Sequence, residues 1–477
     1  MNVRGQLPGN RRVRVERTQP QAFTVRAPKR IRAAPTPAAS LLLLFAFLVT
    51  VGTGLLMLPI ATNDGSATRF IDALFTATSA ACVTGLVVLD TATHWSPFGP
   101  VVILVLVQVG GFGIMAGSTL LLFLFIRRRT TLRDRVLVQE SLGGLNLGSV
   151  TSLVKRIAIF TIVCELAGAI VLGIAFTSGP EAGPPGDPLG IWWGIFHSVS
   201  AFNNSGFDLT GGFRSLGPFV DDWVVLLTIA VLLTAGGLGF AIVGDALVKR
   251  RWSRMALETK LVLMTSAVLL VGGAATIGFT EWTNPATLGA LPAEQRLLNA
   301  LFESATLRTA GFTALDTGAF AEATLFVVMA LMFIGGASGS TAGGIKVNTF
   351  SVLLIAITST VRGQPSAQAF GRRIQHAIVY RALAVALLSI AFVFVIGLGL
   401  TLTTDATFVQ TLFEAVSAFG TVGASTGITP DLTDPARLIT TFAMFVGRLG
   451  PLTLVLALAA RARPIPYRPA IETVRIG

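Results

Sequence analysis

Apolar residues fall in long runs near 40–60, 98–126, 153–177, 220–248, 257–280, 323–361, 378–403 and 436–460. Each is long enough for a helix to cross roughly 30 Å of hydrocarbon. Eight membrane-spanning helices are therefore expected, which puts both termini on one side. Shorter stretches near 74–86, 195–207, 301–312 and 412–424 are too apolar for loops and too short to span.

The charged positions orient these spans. Arg127, Arg128 and Arg129, then Lys249, Arg250 and Arg251, then Arg362, Arg372 and Arg373, then Arg461 and Arg463 fall on the side of the N-terminal tail. That side is expected to be the cytoplasm. The opposite loops carry Asp64, Asp72, Asp90, Asp208, Asp316, Asp405 and further acids against few arginines, an outer face suited to gathering cations. Residues 1–38 are basic, without apolar periodicity, and read as a disordered cytoplasmic tail; 462–477 read as a second one.

Composition narrows the class further. Of 477 residues, 52% are hydrophobic and 13% charged, which excludes a soluble globular enzyme. The net charge of +12 follows from topology and needs no nucleic acid. Cys82 and Cys164 lie in apolar stretches, and His94, His197 and His376 are scattered, so no metal-ligand spacing exists. No paired His, Asp or Glu constellation inside the membrane supports an enzyme.

The four short stretches are mutually similar: LFTATSAACVTGL (74–86), IFHSVSAFNNSGF (195–207), LFESATLRTAGF (301–312) and LFEAVSAFGTVGA (412–424). Each has an apolar residue and Phe, then Ser79, Ser200, Thr306 or Ser417 four residues on, then Gly85, Gly206, Gly311 or Gly423. A second echo lies in the following span, at Gly110-Gly111, Gly236-Gly237, Gly335-Gly336 and Gly447-Arg448. The unit that repeats is thus outer helix, short descending helix, glycine-containing return and inner helix. Repeats are expected at 39–130, 150–250, 256–362 and 376–461. Non-helical backbone at membrane depth is tolerated only where it is buried or lines a watery cavity, so four returns imply one shared cavity. Each unit holds two spans, so all four share one orientation, and a pseudo-fourfold pore is permitted. The fold class expected is an all-α polytopic membrane protein with four re-entrant pore helices.

These hairpins, with CVTGLVVLDT at 82–91, RTAGF at 308–312, GGASGSTAGGIK at 335–346 and GRLGP at 447–451, resemble the TrkH/KtrB/HKT superfamily of potassium transporters, above all its KtrB branch. The resemblance implies potassium uptake across a bacterial inner membrane, often activated by sodium, without an organic cofactor. It also implies a homodimer in the lipid bilayer with a cytosolic KtrA-like nucleotide-binding ring that gates it. Carried over by position, the selectivity filter comprises Val83, Thr84 and Gly85; Asn204, Ser205 and Gly206; Thr309, Ala310 and Gly311; and Thr421, Val422 and Gly423. A glycine at all four positions favours potassium, because loss of the first to serine accompanies sodium preference in plant relatives. A sodium-preferring or proton/sodium-coupled transporter of the same fold is the alternative.

The third inner span should break between Gly335 and Gly344, since each glycine costs roughly 1 kcal/mol relative to alanine inside a helix. In the family this stretch is an intramembrane gating loop. The gate expected here comprises Gly335, Gly336, Ser338, Gly339, Ser340, Thr341, Gly343, Gly344 and Lys346, with Arg448 as an electrostatic element. A loop of this composition is expected to bury little apolar surface and to be only marginally held. It is not a phosphate-binding loop, because Ile345 precedes the lysine and no strand leads in. Gly111-x-Gly113-x-x-Ala116 fits a dinucleotide fingerprint but lies within a span, where small residues serve packing. Glu165 reads either as a proton relay or as an acid paired with a neighbouring helix. Arg308 reads as an anchor for its hairpin, and Cys82 as a packing residue.

Overall fold

The structure, a computed structural model, describes residues 37–129, 150–178 and 189–450. The C-terminal tail and all but the last two residues of the expected N-terminal tail lie outside them. Thirteen α-helices occur among the described residues: α1 (Pro37–Leu56), α2 (Phe70–Ala81), α3 (Phe98–Arg129), α4 (Val150–Ser178), α5 (Leu189–Phe202), α6 (Trp223–Lys249), α7 (Leu257–Glu281), α8 (Ala293–Thr306), α9 (Glu322–Phe333), α10 (Val347–Val361), α11 (His376–Thr401), α12 (Phe408–Gly420) and α13 (Asp434–Leu449). The short strands β1 (Gln368–Ala369) and β2 (Arg372–Arg373) form a hairpin between α10 and α11.

Six helices, α1, α3, α4, α6, α7 and α11, are long and apolar enough to cross a bilayer, and the chain is a membrane protein. The run at 323–361 is divided: α9 stops at Phe333, α10 starts at Val347, and the glycine-rich segment lies between them. Helix starts are encoded locally. The Asp222 carboxylate accepts from Val224 N and Val225 N at the head of α6, and Thr407 with Gln410 forms a capping box on α12.

The short helices α2, α5, α8 and α12 coincide with the four similar stretches and sit inside the bundle. Each packs against the long helices before and after it in sequence, except α8, whose following helix α9 turns instead to α7 and α12. Between units, α3 packs on α5, α6 on α8, α9 on α12 and α13 on α2, so the arrangement closes cyclically. The phenylalanine common to the stretches is buried in every one: Phe75, Phe196, Phe302 and Phe413. Lipid tails are as apolar as phenylalanine, so the gain comes from close packing rather than from leaving water. Glycine permits that packing: a Cβ on Gly110, Gly236 or Gly447 would run into the carbonyl oxygen of Ala81, Phe202 or Phe419, near or at the end of the preceding short helix.

Candidate functional site

Each short helix ends in a three-residue strand with the same unusual backbone. The first residue has positive φ although it carries a side chain, at Val83 (55°), Asn204 (60°), Thr309 (108°) and Thr421 (48°). The third is a glycine, again with positive φ, at Gly85 (91°), Gly206 (71°), Gly311 (70°) and Gly423 (96°). Side-chain residues seldom adopt this conformation, and its recurrence at four places means the surroundings enforce it. The serines singled out in the sequence supply part of that force. Ser79 Oγ accepts from Gly85 N at 3.0 Å and Ser417 Oγ from Gly423 N at 3.2 Å, while Ser200 Oγ donates to Phe207 O at 2.7 Å. Thr306 Oγ1 makes no such bond.

The twelve strand residues meet in one ring. A Cβ on Gly85 would collide with Ser205 O, on Gly206 with Ala310 O, on Gly311 with Val422 O, and on Gly423 with Thr84 O. Every glycine therefore lies against the carbonyl of the next unit, and the fourth returns to the first. Among the described residues these four carbonyls accept no hydrogen bond. The hydroxyls of Thr84, Thr309 and Thr421 are likewise buried without partners. A buried oxygen without a donor is costly; a ring of them suits a dehydrated cation.

On one side the four glycines open into a bowl of about 720 Å³, also lined by Asp208, Arg214, Asp316 and Thr317. Burial, and secondarily the nearby Asp90, push the Asp208 carboxyl above its ordinary range despite two hydrogen bonds from Thr210. On the other side of the ring lies the segment 335–346. It is exposed only at its tip, Ser338, half-buried at Gly339, Gly344 and Lys346 and otherwise buried, and it is extensively bonded. Ala337 N donates to Gly237 O and Thr341 N to Gly236 O, at 2.8 and 3.2 Å. Thr341 Oγ1 donates to Asn204 Oδ1 at 2.7 Å and to Phe202 O at 3.2 Å. Arg448 donates to Thr341 O and, at 3.3 Å, to Gly110 O, and Lys346 donates to Ala342 O and Gly343 O. Two cations thus hold three consecutive loop carbonyls. The expectation of a loosely held loop is corrected: its glycine composition removes side chains but exposes backbone groups, and partners from several helices satisfy them. The kink at Gly239 of α6 makes room, since a Cβ there would meet Gly339 O.

The remaining readings are resolved locally. Arg308 donates to the O and Oγ of Ser266, both at 3.3 Å, which ties its hairpin to α7. Cys82 is packed in the apolar core. Glu165 is paired with Gln108 of α3 and with Asn203, the residue that follows α5. No group of His, Cys, Asp and Glu able to hold a metal occurs among the described residues.

One set of residues escaped the sequence reading. The residue after each common phenylalanine is Thr76, His197, Glu303 or Glu414. Three of them reach the chain that climbs away from the ring. His197 Nε2 accepts from Leu209 N, Glu303 Oε1 from Ala314 N and Leu315 N, and Glu414 from Thr426 N, Ser425 and Thr429. The signal was a polar residue beside phenylalanine at one register of all four repeats, ionisable in three of them.

Comparisons with known proteins agree with this architecture. The family model of the TrkH cation transport proteins matches residues 25–463. The chain is 41% identical to the Ktr system potassium uptake protein B of Bacillus subtilis, covering 89% of this chain and 93% of that protein. It is 38% identical to the potassium/sodium uptake protein NtpJ of Enterococcus hirae, covering 94% and 99%. Among solved structures, the potassium transporter TrkH of Vibrio parahaemolyticus aligns with a TM-score of 0.70 at 19% identity, over 91% of this chain and 87% of that one.

Proposed function

Because this chain belongs to the TrkH family of cation transport proteins, we propose that it carries potassium across the cell membrane as the ion-translocating subunit of a Ktr/Trk-type uptake system. The ring is read as the selectivity filter, at the centre of four helix–hairpin–helix repeats disposed about a pseudo-fourfold axis. One observation carries this reading: four carbonyls that accept no hydrogen bond, each set against a glycine of the neighbouring unit in cyclic order. Such oxygens replace the hydration shell of a cation, and the negative ends of the four short helices lie beside them. The bowl is the outer vestibule and Asp208 and Asp316 enrich it in cations. Segment 335–346 with Arg448 and Lys346 is the gate beneath the filter. Sodium activation, a homodimer, and a cytosolic nucleotide-binding ring acting on the gate complete the proposal, with both termini cytoplasmic in an inner membrane.

A sodium-preferring or ion-coupled transporter is the second reading. It is favoured by the unlike strands, Val-Thr-Gly, Asn-Ser-Gly, Thr-Ala-Gly and Thr-Val-Gly, which break the equivalence of a fourfold cage. Rubidium and sodium uptake into proteoliposomes, with and without sodium outside, separates the two. Rubidium uptake that sodium accelerates but does not displace supports the first; sodium uptake that outruns rubidium supports the second.

A further inference from the structure

Glu165 lies near the middle of α4, on a helix whose residues Ile162, Val163 and Leu166 are more than half exposed toward lipid. The acid itself is 8% exposed. A carboxylate at this depth is expensive unless its oxygens are satisfied, and intramembrane acids are retained where they do something. Both oxygens are satisfied. Gln108 Nε2 of α3 donates to Oε2 at 3.2 Å, and Asn203 Nδ2 donates to Oε1 at 3.0 Å. Asn203 Nδ2 also lies 3.0 Å from Gln108 Oε1, which closes a triad between two units, and Ser198 Oγ donates to the Glu165 carbonyl at 2.6 Å. Gly111 belongs to the same arrangement: a Cβ there would occupy the place of Asn203 Oδ1.

What the triad holds is the root of one filter strand. Asn203 immediately precedes Asn204, whose φ of 60° must be maintained against its own side chain. The residues at the same place in the other units are Cys82, Arg308 and Gly420. Arg308 also braces its strand to the first helix of its unit, through Ser266, whereas Cys82 packs in the core and Gly420 has no side chain. At the residue preceding the strand, a polar side chain therefore backs only the second and third strands, in addition to the serine bonds at Gly85 and Gly423. The second is the one built on a buried acid.

We propose that Glu165 is a specificity-determining positioning residue: acting through Asn203, it fixes the backbone of the second strand and hence where the Asn204 and Ser205 carbonyls meet the ion. Glu165 touches no ion itself. The proposal rests on the reading of the ring as a potassium filter.

The test measures rubidium and sodium uptake by the full-length protein in proteoliposomes, as the ratio of the two rates at saturating gradients. A buried hydrogen bond to a carboxyl group is strong enough that its loss should cost about tenfold in discrimination for Glu165→Ala. Glu165→Gln keeps one acceptor for Asn203 and should lose about threefold. Combining Glu165→Ala with Asn203→Ala should be no worse than the worse single change, since both remove one brace. An assembled Glu165→Ala protein that discriminates like the parent, or losses that simply add, would overturn the proposal. Should Glu165→Ala not assemble, Glu165→Gln decides: a threefold loss supports the brace and parental discrimination refutes it. A parent that carries neither ion selectively would bring down the filter reading, and this proposal with it.

Discussion

The third unit and the other three use glycine at one position for opposite ends. In α3, α6 and α13 the helix keeps a glycine against the preceding short helix, where Gly110, Gly236 and Gly447 face the carbonyls of Ala81, Phe202 and Phe419. In the third unit the matching Gly335 faces the carbonyl of Gly343 in its own segment, and the helix stops at Phe333. A single glycine lets two helices touch. Five glycines within ten residues remove the helix, and the freed chain turns under the ring. The same local property therefore builds helix contact in three units and a non-helical segment beside the ring in one, which we propose as the gate.

The largest effect should come from adding a methyl group on each side of this contrast. Gly110→Ala and Gly447→Ala press a Cβ on backbone that cannot yield, an overpacking cost of about 1–3 kcal/mol each. Both should lower the thermal unfolding temperature and abolish most rubidium uptake. Gly335→Ala also presses on backbone, the carbonyl of Gly343, so it too should lower the unfolding temperature, but by displacing the segment under the ring it should raise uptake per assembled protein. Equal losses of uptake in all three variants would erase the distinction.

Deleting residues 338–343 comes next. The deletion removes the Thr341 bonds to Asn204, Phe202 and Arg448 and leaves the ring intact. Rubidium flux should rise several-fold and lose its dependence on any cytosolic subunit; a deletion protein that assembles and conducts no faster than the parent would return the segment to a mere helix break.

Smaller changes are expected from the two cations. Arg448→Gln and Lys346→Met each release part of one run of three carbonyls. Each should change flux a few-fold without loss of assembly, and the double variant should fall short of the product because the run is shared. Additive effects would show that the two act on separate elements.

The smallest effect concerns the bowl, where the comparison is between its acids. Burial and Asp90 raise the Asp208 carboxyl, so it takes up a proton at a higher pH than an ordinary aspartate. As pH falls, the apparent affinity for rubidium should therefore begin to weaken before ordinary carboxylates titrate. Asp208→Asn should remove that early component and shift the decline to lower pH. A profile unchanged in Asp208→Asn would assign the pH dependence elsewhere.

Much of this organisation is legible before any coordinates, and for a physical reason: a bilayer demands about 20 apolar residues per span, and a glycine forced to positive φ announces itself by being glycine. The long apolar runs, the four short stretches with their Ser or Thr, and the break in the glycine-rich segment follow from such local constraints, whereas the twelve strand residues came from the resemblance to the family. Arg448 stood out because a guanidinium inside a span needs a partner. The partner itself, Thr341 O, lies 107 residues away and belongs to the tertiary structure.

Three matters were decided only by the folded chain. Cyclic closure depends on which carbonyl each glycine meets, as Gly423 meets Thr84 across more than 300 residues. The supports at His197, Glu303 and Glu414 depend on loops that return to them after the ring. The brace at Glu165 depends on α3, α4 and α5 crossing at one depth. Sequence alone determined where backbone must leave the helix, because that choice is made residue by residue. Where the departing backbone finds its partners is set by how the four short helices and their neighbours pack against one another in cyclic order.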